Sequence, residues 1–264
     1  IAGFAATSDM EAGRTYGVPT AGTAAHSFTL LHDSEEDAFR AQLAAQGNST
    51  TLLVDTYDVE AAVRTAVELA GPELGAVRID SGDLAEQAVE VRALLDSLGA
   101  TRTRIIVTSD LDEFQIAALR GAPVDGYGVG TSLVTGSGAP TCSMVYKIVA
   151  RAASDAAGAP LEPVAKRSPD KATVGGRKYA LRRRDAHGVA EADVIGVGVL
   201  PANDGDDRAL IVPLITDGRI VGREPLSAAR ERHRAAVAEL PRAAHKMSRG
   251  EPAIPTVLIP EESP

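Results

Sequence analysis

The amino-acid sequence predicts an α/β protein built on a parallel sheet, and three observations carry the prediction. Between about residues 48 and 135, apolar β-branched runs recur with starts roughly 20 to 28 residues apart, the length of a strand, a helix and two short loops. Each run ends in a polar cluster and is followed by an amphipathic stretch long enough for a helix. After Gly130 this pattern stops, and short alternating segments separated by Gly and Pro replace it.

Taken in order, Thr23 to Gln46 reads as one helix, with Phe28, Leu31, Phe39 and Leu43 as its apolar positions, Asp33 to Asp37 exposed, and Gly47-Asn48 as its stop. The strand runs are Thr51–Val54, Ala76–Ile79, Arg104–Val107 and Val124–Tyr127. Val59–Leu69, Leu84–Leu98 and Leu111–Leu119 are the helices between them. A βαβα order implies a parallel sheet with helices packed outside it, either open or closed into a barrel. Beyond it, Thr131–Thr141 is a Gly/Ser/Thr loop, Met144–Ala150 a short apolar element, and 152–177 a loop-rich stretch with Pro160, Pro163 and Pro169. Tyr179–Arg183, Val194–Leu200, Leu210–Ile215 and Arg219–Val221 read as short antiparallel strands, the last two joined by an Asp217-Gly218 hairpin signal. Leu226–Leu240 is a charged helix, followed by a proline-containing tail. The change of character places a domain boundary near residue 150, giving regions 1–150 and 151–264.

Composition limits the function classes. With 264 residues, 44% hydrophobic and 24% charged, the chain has the balance of a folded soluble protein with a sizeable core. A single cysteine, Cys142, rules out an internal disulfide and a thiolate metal cluster, so a cytoplasmic location is expected. No basic segment precedes an apolar run and no 18 apolar residues stand together, so neither secretion nor a membrane span is expected. A chain opening at Ile1 instead of Met is also compatible with being part of a longer one. The net charge of −9 is concentrated in residues 1–150, where nine Lys and Arg stand against twenty Asp and Glu. That acidity argues against a nucleic-acid partner. The Arg182-Arg183-Arg184 run reads as a solvated strand or loop.

In parallel α/β proteins, binding groups collect at the carboxyl ends of the strands. Here those ends are Asp55-Thr56-Tyr57-Asp58, Arg78-Ile79-Asp80-Ser81-Gly82-Asp83, Ser109-Asp110 and Gly128-Val129-Gly130-Thr131. Residues two apart on a strand share a face, so Arg78 and Asp80 point one way, as do Thr51, Leu53 and Asp55, while Val77 and Ile79 face the helices. An Arg and an Asp at the functional end suit a substrate with both anionic groups and hydroxyls. Asp58 and Asp83 read more simply as helix N-caps, and Asp110 equally well as a cap or a ligand. The Gly128–Ser132 stretch offers unobstructed backbone N–H groups of the kind that hold phosphate, without being a Walker A loop or a full dinucleotide fingerprint opening a helix. His32, His187, His233 and His245 read as surface residues. His26 stands apart among small neighbours, Gly22-Thr23-Ala24-Ala25 and Ser27, at a helix start.

Nine segments in sequence resemble nicotinate phosphoribosyltransferase: Ala6–Met10, Tyr16–Pro19, Ala21–Phe28, Leu53–Asp58, Val77–Asp83, Thr108–Glu113, Gly128–Thr131, Tyr146-Lys147 and Lys166–Lys171. The resemblance implies an irregular, TIM-barrel-like type II phosphoribosyltransferase domain over 1–150 and a smaller mixed α+β region over 151–264. It implies ATP-coupled, Mg²⁺-dependent transfer of a phosphoribosyl group from phosphoribosyl pyrophosphate to nicotinate, in NAD biosynthesis. By position, His26 matches the histidine that ATP phosphorylates and Asp55 the carboxylate that orients it. Arg78 would lie by the pyridine and phosphoribosyl group, and Asp80 would hold the ribose hydroxyls as the anomeric carbon gains positive charge. Gly128, Gly130 and Thr131 would take the 5′-phosphate, with Thr7, Ser8, Thr51, Ser81, Gly82, Ser109 and Asp110 as further substrate contacts. No residue is assigned as a dedicated metal ligand. Family members are longer and begin with an N-terminal domain that completes the nicotinate pocket across a dimer interface, so a homodimer is implied. Asp9 stands where the family usually has Asn. A Schiff-base aldolase needs a lysine at a strand end, and Lys147, the sole lysine before residue 150, is not at one. Nicotinamide phosphoribosyltransferase and a truncated, non-catalytic paralogue are the remaining alternatives.

Overall fold

The computed structural model describes residues 2–136, 147–165, 173–248 and 250–260. Cys142, residues 144–146 of the expected 144–150 element, Tyr146 among them, and the Lys166–Lys171 run lie outside them. The chain divides into two compact units, Ala6–Ser143 and Ile1–Ala5 with Met144–Pro264.

The first unit contains α1 (Met10–Tyr16), α2 (His26–Leu30), α3 (Glu35–Gln46), β1 (Thr51–Leu53), α4 (Val59–Ala70), β2 (Ala76–Ile79), α5 (Leu84–Ser97), β3 (Arg104–Val107), α6 (Glu113–Ala118), β4 (Gly126–Tyr127) and α7 (Thr131–Thr135). The four strands form one parallel sheet in the order β1-β2-β3-β4. One face carries the core. Leu52, Val54, Val77, Ile79, Ile105 and Val107 meet Val63, Val67, Val91 and Leu95 of α4 and α5 in a single buried cluster. Fully burying a side chain such as Leu52 or Ile105 is worth about 1.5–3 kcal/mol, so this face supplies most of the unit's cohesion. The alternate residues Leu53, Arg78 and Thr108 lie outside that cluster, as period-two alternation requires.

The local chemistry explains the element ends. Asp58 and Asp83 cap α4 and α5 by accepting backbone N–H bonds, as expected of them. At the third such position the cap is Asp112, which forms a reciprocal capping box with Gln115 and leaves Asp110 exposed in the loop. The single helix expected over 23–46 is two. Ser34 takes an extended conformation and accepts the Asp37 N–H, starting α3 afresh after the Leu31–Ser34 break. The expected loop after Gly130 begins instead with the one-turn helix α7.

The second unit is mainly antiparallel. It contains β5 (Ala150–Ala152), β6 (Leu161–Pro163), β7 (Lys178–Arg184), β8 (Ala190–Val197), β9 (Arg208–Ala209), β10 (Ile215–Thr216), β11 (Arg219–Ile220), α8 (Leu226–Ala238) and β12 (Thr256–Ile259). One sheet has the order β12-β8-β7-β9, with β12 parallel to β8. The expected tail thus supplies a strand. Of the expected strand over 210–215 only Ile215 is retained, in the two-residue β10, because Pro213 cannot donate to a ladder. Its hairpin with β11 turns through Asp217 and Gly218, both at positive φ. Arg182, Arg183 and Arg184 are not merely solvated. Arg182 faces Asp193 across the β7–β8 ladder with bonds of 2.8 and 3.1 Å, Arg183 reaches Asp207, and Arg184 reaches Glu239.

Candidate active site

Strand β2, the loops after β1 and β2, and the start of α2 bring four of the sequence-predicted residues together. Arg78, near the end of β2, reaches in three directions. Its Nε donates to Thr108 Oγ1 at 2.8 Å, its Nη2 to Asp80 Oδ1 at 3.0 Å, and its Nη1 to Thr23 Oγ1 at 2.5 Å. Asp80, two residues on and on the same face, also accepts the Thr108 hydroxyl on Oδ1. Burial works to raise the Asp80 pKa, but the bonds from Thr108 and Arg78 and the nearby Arg78 and His26 charges outweigh it, and the carboxyl is held below its ordinary range.

Asp55, after β1, is almost wholly buried, with its side chain 3% exposed. Its Oδ2 accepts the Asp80 backbone N–H at 2.8 Å and the Ser81 hydroxyl at 2.7 Å, pinning the β2 exit loop to the β1 exit loop. Oδ1 is buried with no hydrogen-bond partner among the described residues and lies 3.8 Å from His26 Nε2. His26 is the first residue of α2. Its Nε2 also lies 3.6 Å from Asp80 Oδ2, and its Nδ1 meets Thr56 Oγ1 at 3.2 Å. The imidazole therefore sits between two carboxylates, just beyond direct hydrogen bonding to either, and the Thr56 hydroxyl is the group within reach.

The remaining predicted residues divide. Ser81 is bonded to Asp55, and Gly82 at φ +83° packs under Gln87, whose amide nitrogen would lie 2.2 Å from a Cβ there. Ser109 holds the unusual φ of +133° immediately after Thr108, and Asp110 beside it is exposed. Gly128 continues β4 with its N–H on the Val107 carbonyl, and Gly130 and Thr131 open α7. Thr51 is not at the site. It starts β1, roughly 13 Å of strand before Asp55, and its carbonyl accepts Gln42 Nε2. Thr7 and Ser8 lie in the N-terminal segment, where Thr7 bridges to Thr20 and accepts the Asp9 N–H. Asp9 itself caps α1 by accepting the Glu11 and Ala12 N–H groups, a bond an Asn would also make.

Sequence reasoning missed three contributors. Thr108 was findable: β2–β3 register pairs Arg78 with Ile106 and Ile79 with Val107, which sets Thr108 beside Asp80 on one face. Thr56 had only its adjacency to Asp55. Glu35, expected to be exposed, is half-buried close to Asp58 and Asp55, and burial followed by those two negative charges pushes its carboxyl above the ordinary range. His32 likewise is no plain surface residue, bonding the Phe28 carbonyl at 2.8 Å and packing tilted against its ring.

These features define a parallel α/β protein in which a helix-start histidine faces two carboxylates at the strand ends, one of them paired with an arginine. No protein-family model matches the chain. Comparison with characterised proteins is decisive: the chain is 54% identical over 98% of its length to nicotinate phosphoribosyltransferase pncB1 of Mycobacterium tuberculosis, and 43% identical over 83% to pncB2 of that organism. It belongs, over the length it spans, to the nicotinate phosphoribosyltransferase family. That length is 58% of the first relative and 46% of the second. Among solved structures, human nicotinic acid phosphoribosyltransferase superposes with a TM-score of 0.70 at 21% identity, covering 98% of this chain and 63% of that one, which establishes a shared fold.

Proposed function

We propose that the protein transfers the phosphoribosyl group of phosphoribosyl pyrophosphate to nicotinate, yielding nicotinate mononucleotide and pyrophosphate, with ATP hydrolysis coupled to the transfer. The observation that carries this reading is the Arg78–Asp80 pair set beside His26 at the strand ends, in a chain homologous to nicotinate phosphoribosyltransferases. The family names of the relatives favour nicotinate over nicotinamide.

In the transfer step the pyridine nitrogen lone pair forms the bond to the ribose anomeric carbon while the bond from that carbon to pyrophosphate breaks, its electron pair leaving with pyrophosphate. Positive charge develops on the ribose ring, and Asp80, kept ionised by Arg78 and Thr108, faces that charge. Arg78 has an anion-binding guanidinium close by. In the coupling step His26 is the nucleophile toward the ATP γ-phosphorus, with ADP as leaving group, and water later returns free imidazole and phosphate. The carboxylates facing Nε2 favour a proton there, which leaves the lone pair on Nδ1 beside the Thr56 hydroxyl. Mg²⁺ would neutralise the diphosphate charge. Among the described residues no three His, Cys, Asp or Glu side chains are grouped to hold a metal. Such a donor set would suit an ion carried largely by substrate phosphate oxygens and water.

A sequential four-stranded parallel sheet with helices on one face is also the arrangement that a closed barrel repeats, and the reading extends to an irregular barrel completed by chain beyond these strands, in a cytoplasmic homodimer. No helix among the described residues is long and apolar enough to cross a membrane. The test is turnover by protein expressed from the complete reading frame. Nicotinate mononucleotide should form, radiolabel from γ-labelled ATP should map to His26, and His26→Ala should keep slow transfer while losing ATP coupling. Acid-labile phosphate on another residue would reject the assignment.

A further inference from the structure

Thr108, the first residue after β3, carries a hydroxyl used in both directions. Its oxygen accepts the Arg78 Nε–H, and its single proton goes to Asp80 Oδ1. A guanidinium can only donate and an ionised carboxylate can only accept, so the polarity of the link is determined. Arg78 Nη2 binds the same Oδ1, closing a ring through Arg78, Thr108 and Asp80. Asp80 Oδ2 is thereby left free to face His26 Nε2.

The methyl of Thr108 is equally constrained. A Cβ on Gly128 would stand 2.4 Å from Thr108 Cγ2, so the glycine leaves the space that the methyl occupies. Gly128 is not at positive φ, so the requirement comes from Thr108 and not from backbone conformation. The Gly128 N–H is bound to the Val107 carbonyl at 2.9 Å, and the Thr108 N–H to the Ile79 carbonyl at the same distance, which holds the two strand exits in register.

We infer that Thr108 is the positioning residue of this site: its hydroxyl sets the mutual orientation of Arg78 and Asp80, and its methyl, seated on Gly128, ties that orientation to the β4 exit loop. The consequence for turnover rests on the phosphoribosyltransferase reading above, whereas the consequence for Arg78 does not. Thr108→Val keeps the shape and removes the hydroxyl. Thr108→Ser keeps the hydroxyl and removes the methyl.

The experiment uses protein from the complete reading frame, labelled with ¹⁵N-arginine, with the Arg78 Nε–H resonance assigned by its loss in Arg78→Lys. In Thr108→Val its exchange with solvent should quicken about tenfold or more, and kcat for nicotinate mononucleotide formation should fall by a similar factor. KM should move much less, and Thr108→Ser should recover most of both losses. Gly128→Ala should reproduce the loss by displacing Thr108, and Gly128→Ala with Thr108→Ser should recover part of it, since the obstructing methyl is gone. Unchanged Arg78 exchange in Thr108→Val, or no relief of Gly128→Ala by Thr108→Ser, overturns the inference. Should Thr108→Val not fold, the Gly128 and serine variants still decide it. If the exchange and relief pattern holds in a protein that makes no nicotinate mononucleotide, the positioning role stands and the functional reading falls.

Discussion

Asp55 binds the backbone of Asp80: the Asp80 N–H donates to Asp55 Oδ2 at 2.8 Å while the Asp80 carboxylate turns away to Arg78 and Thr108. The two carboxylates thus reach His26 from different loops with their other bonds already satisfied, and neither is free to swing. Asp55→Ala removes the acceptor for both the Asp80 N–H and the Ser81 hydroxyl, leaving polar groups without a partner. The expected cost is about 1–3 kcal/mol of stability, read as a lower urea midpoint, together with a larger proportional loss of turnover because the Asp80 loop is released. Asp55→Asn keeps one acceptor oxygen and should lie between the two. A midpoint unchanged in Asp55→Ala would contradict the pinning role.

Glu35 supplies a pH test. Its Oε1 is buried without a hydrogen-bond partner among the described residues, and burial, then Asp58 and Asp55, raise its pKa above the ordinary 4.5. A carboxyl whose folded pKa is raised favours folding in its protonated form, an advantage fully present below the unfolded value and lost as pH rises through the folded one. Glu35→Gln is neutral throughout, so the variant should melt higher than the parent at pH 8, by about 1 °C after solvent screening. Near pH 4 the difference should vanish. A gap that is equal at both pH values would refute the electrostatic cause.

What was legible in the sequence follows from how much chain each feature occupies. The β1–α4–β2–α5–β3 succession repeats two distinct periods over many residues, and its helix-facing and site-facing residues could be assigned by alternation alone, Arg78 and Asp80 among them. Four-residue signals did less well. The Leu31–Ser34 break turns on one serine side chain, and Asp110 and Asp112 offer the same cap chemistry two residues apart, with Gln115 deciding between them through the capping box. Strands β9 to β11 have two residues each, too few to show alternation. The half-burial of Glu35 depends on where the β1 exit loop lies against α3, a tertiary fact with no local trace. His26 was distinguishable by its small neighbours, but its spacing from Asp55 and Asp80 required the sheet.

Gly75 and Gly71, on either side of the turn between α4 and β2, are glycines for different reasons. At Gly75 a Cβ would lie 2.2 Å from the Ser49 carbonyl oxygen, on the backbone that leads into β1, where the Gly75 N–H also bonds the Asn48 carbonyl. At Gly71 there is open space, but φ +76° with ψ −176° is a conformation other residues avoid. Gly71→Ala should therefore cost about 1–3 kcal/mol. Gly75→Ala should cost about 3 kcal/mol or more, because two backbone segments must separate. Equilibrium unfolding in urea ranks them, and the reverse order would disprove the assignment of causes.

In the second unit the charge on Glu239 gathers the arginines of the β7–β9 edge. Arg208 holds it with three bonds, Nε to Oε1 at 2.8 Å and to Oε2 at 3.0 Å and Nη2 to Oε2 at 2.7 Å, Arg184 adds a contact at 3.5 Å, and the Glu239 side chain is only 9% exposed. The Arg208 bonds are the main cause holding its carboxyl below the ordinary range, against an opposing push from burial. A depressed folded pKa contributes stability that is present above the unfolded value, near 4.5, and is lost as pH falls through the folded one. Glu239→Gln should therefore destabilise the protein at pH 7 by about 1–3 kcal/mol, because Arg208 and Arg184, each partly exposed, lose their counter-charge while the amide oxygen still accepts. As pH falls through the folded value the parent's own Glu239 becomes protonated and the deficit should shrink. Arg208→Lys, which keeps the charge but not the forked geometry, should give a smaller loss at pH 7. Denaturant midpoints at pH 7 and below the folded value test the pair directly, and a deficit that grows on acidification would show that the carboxylate is not what the arginines hold.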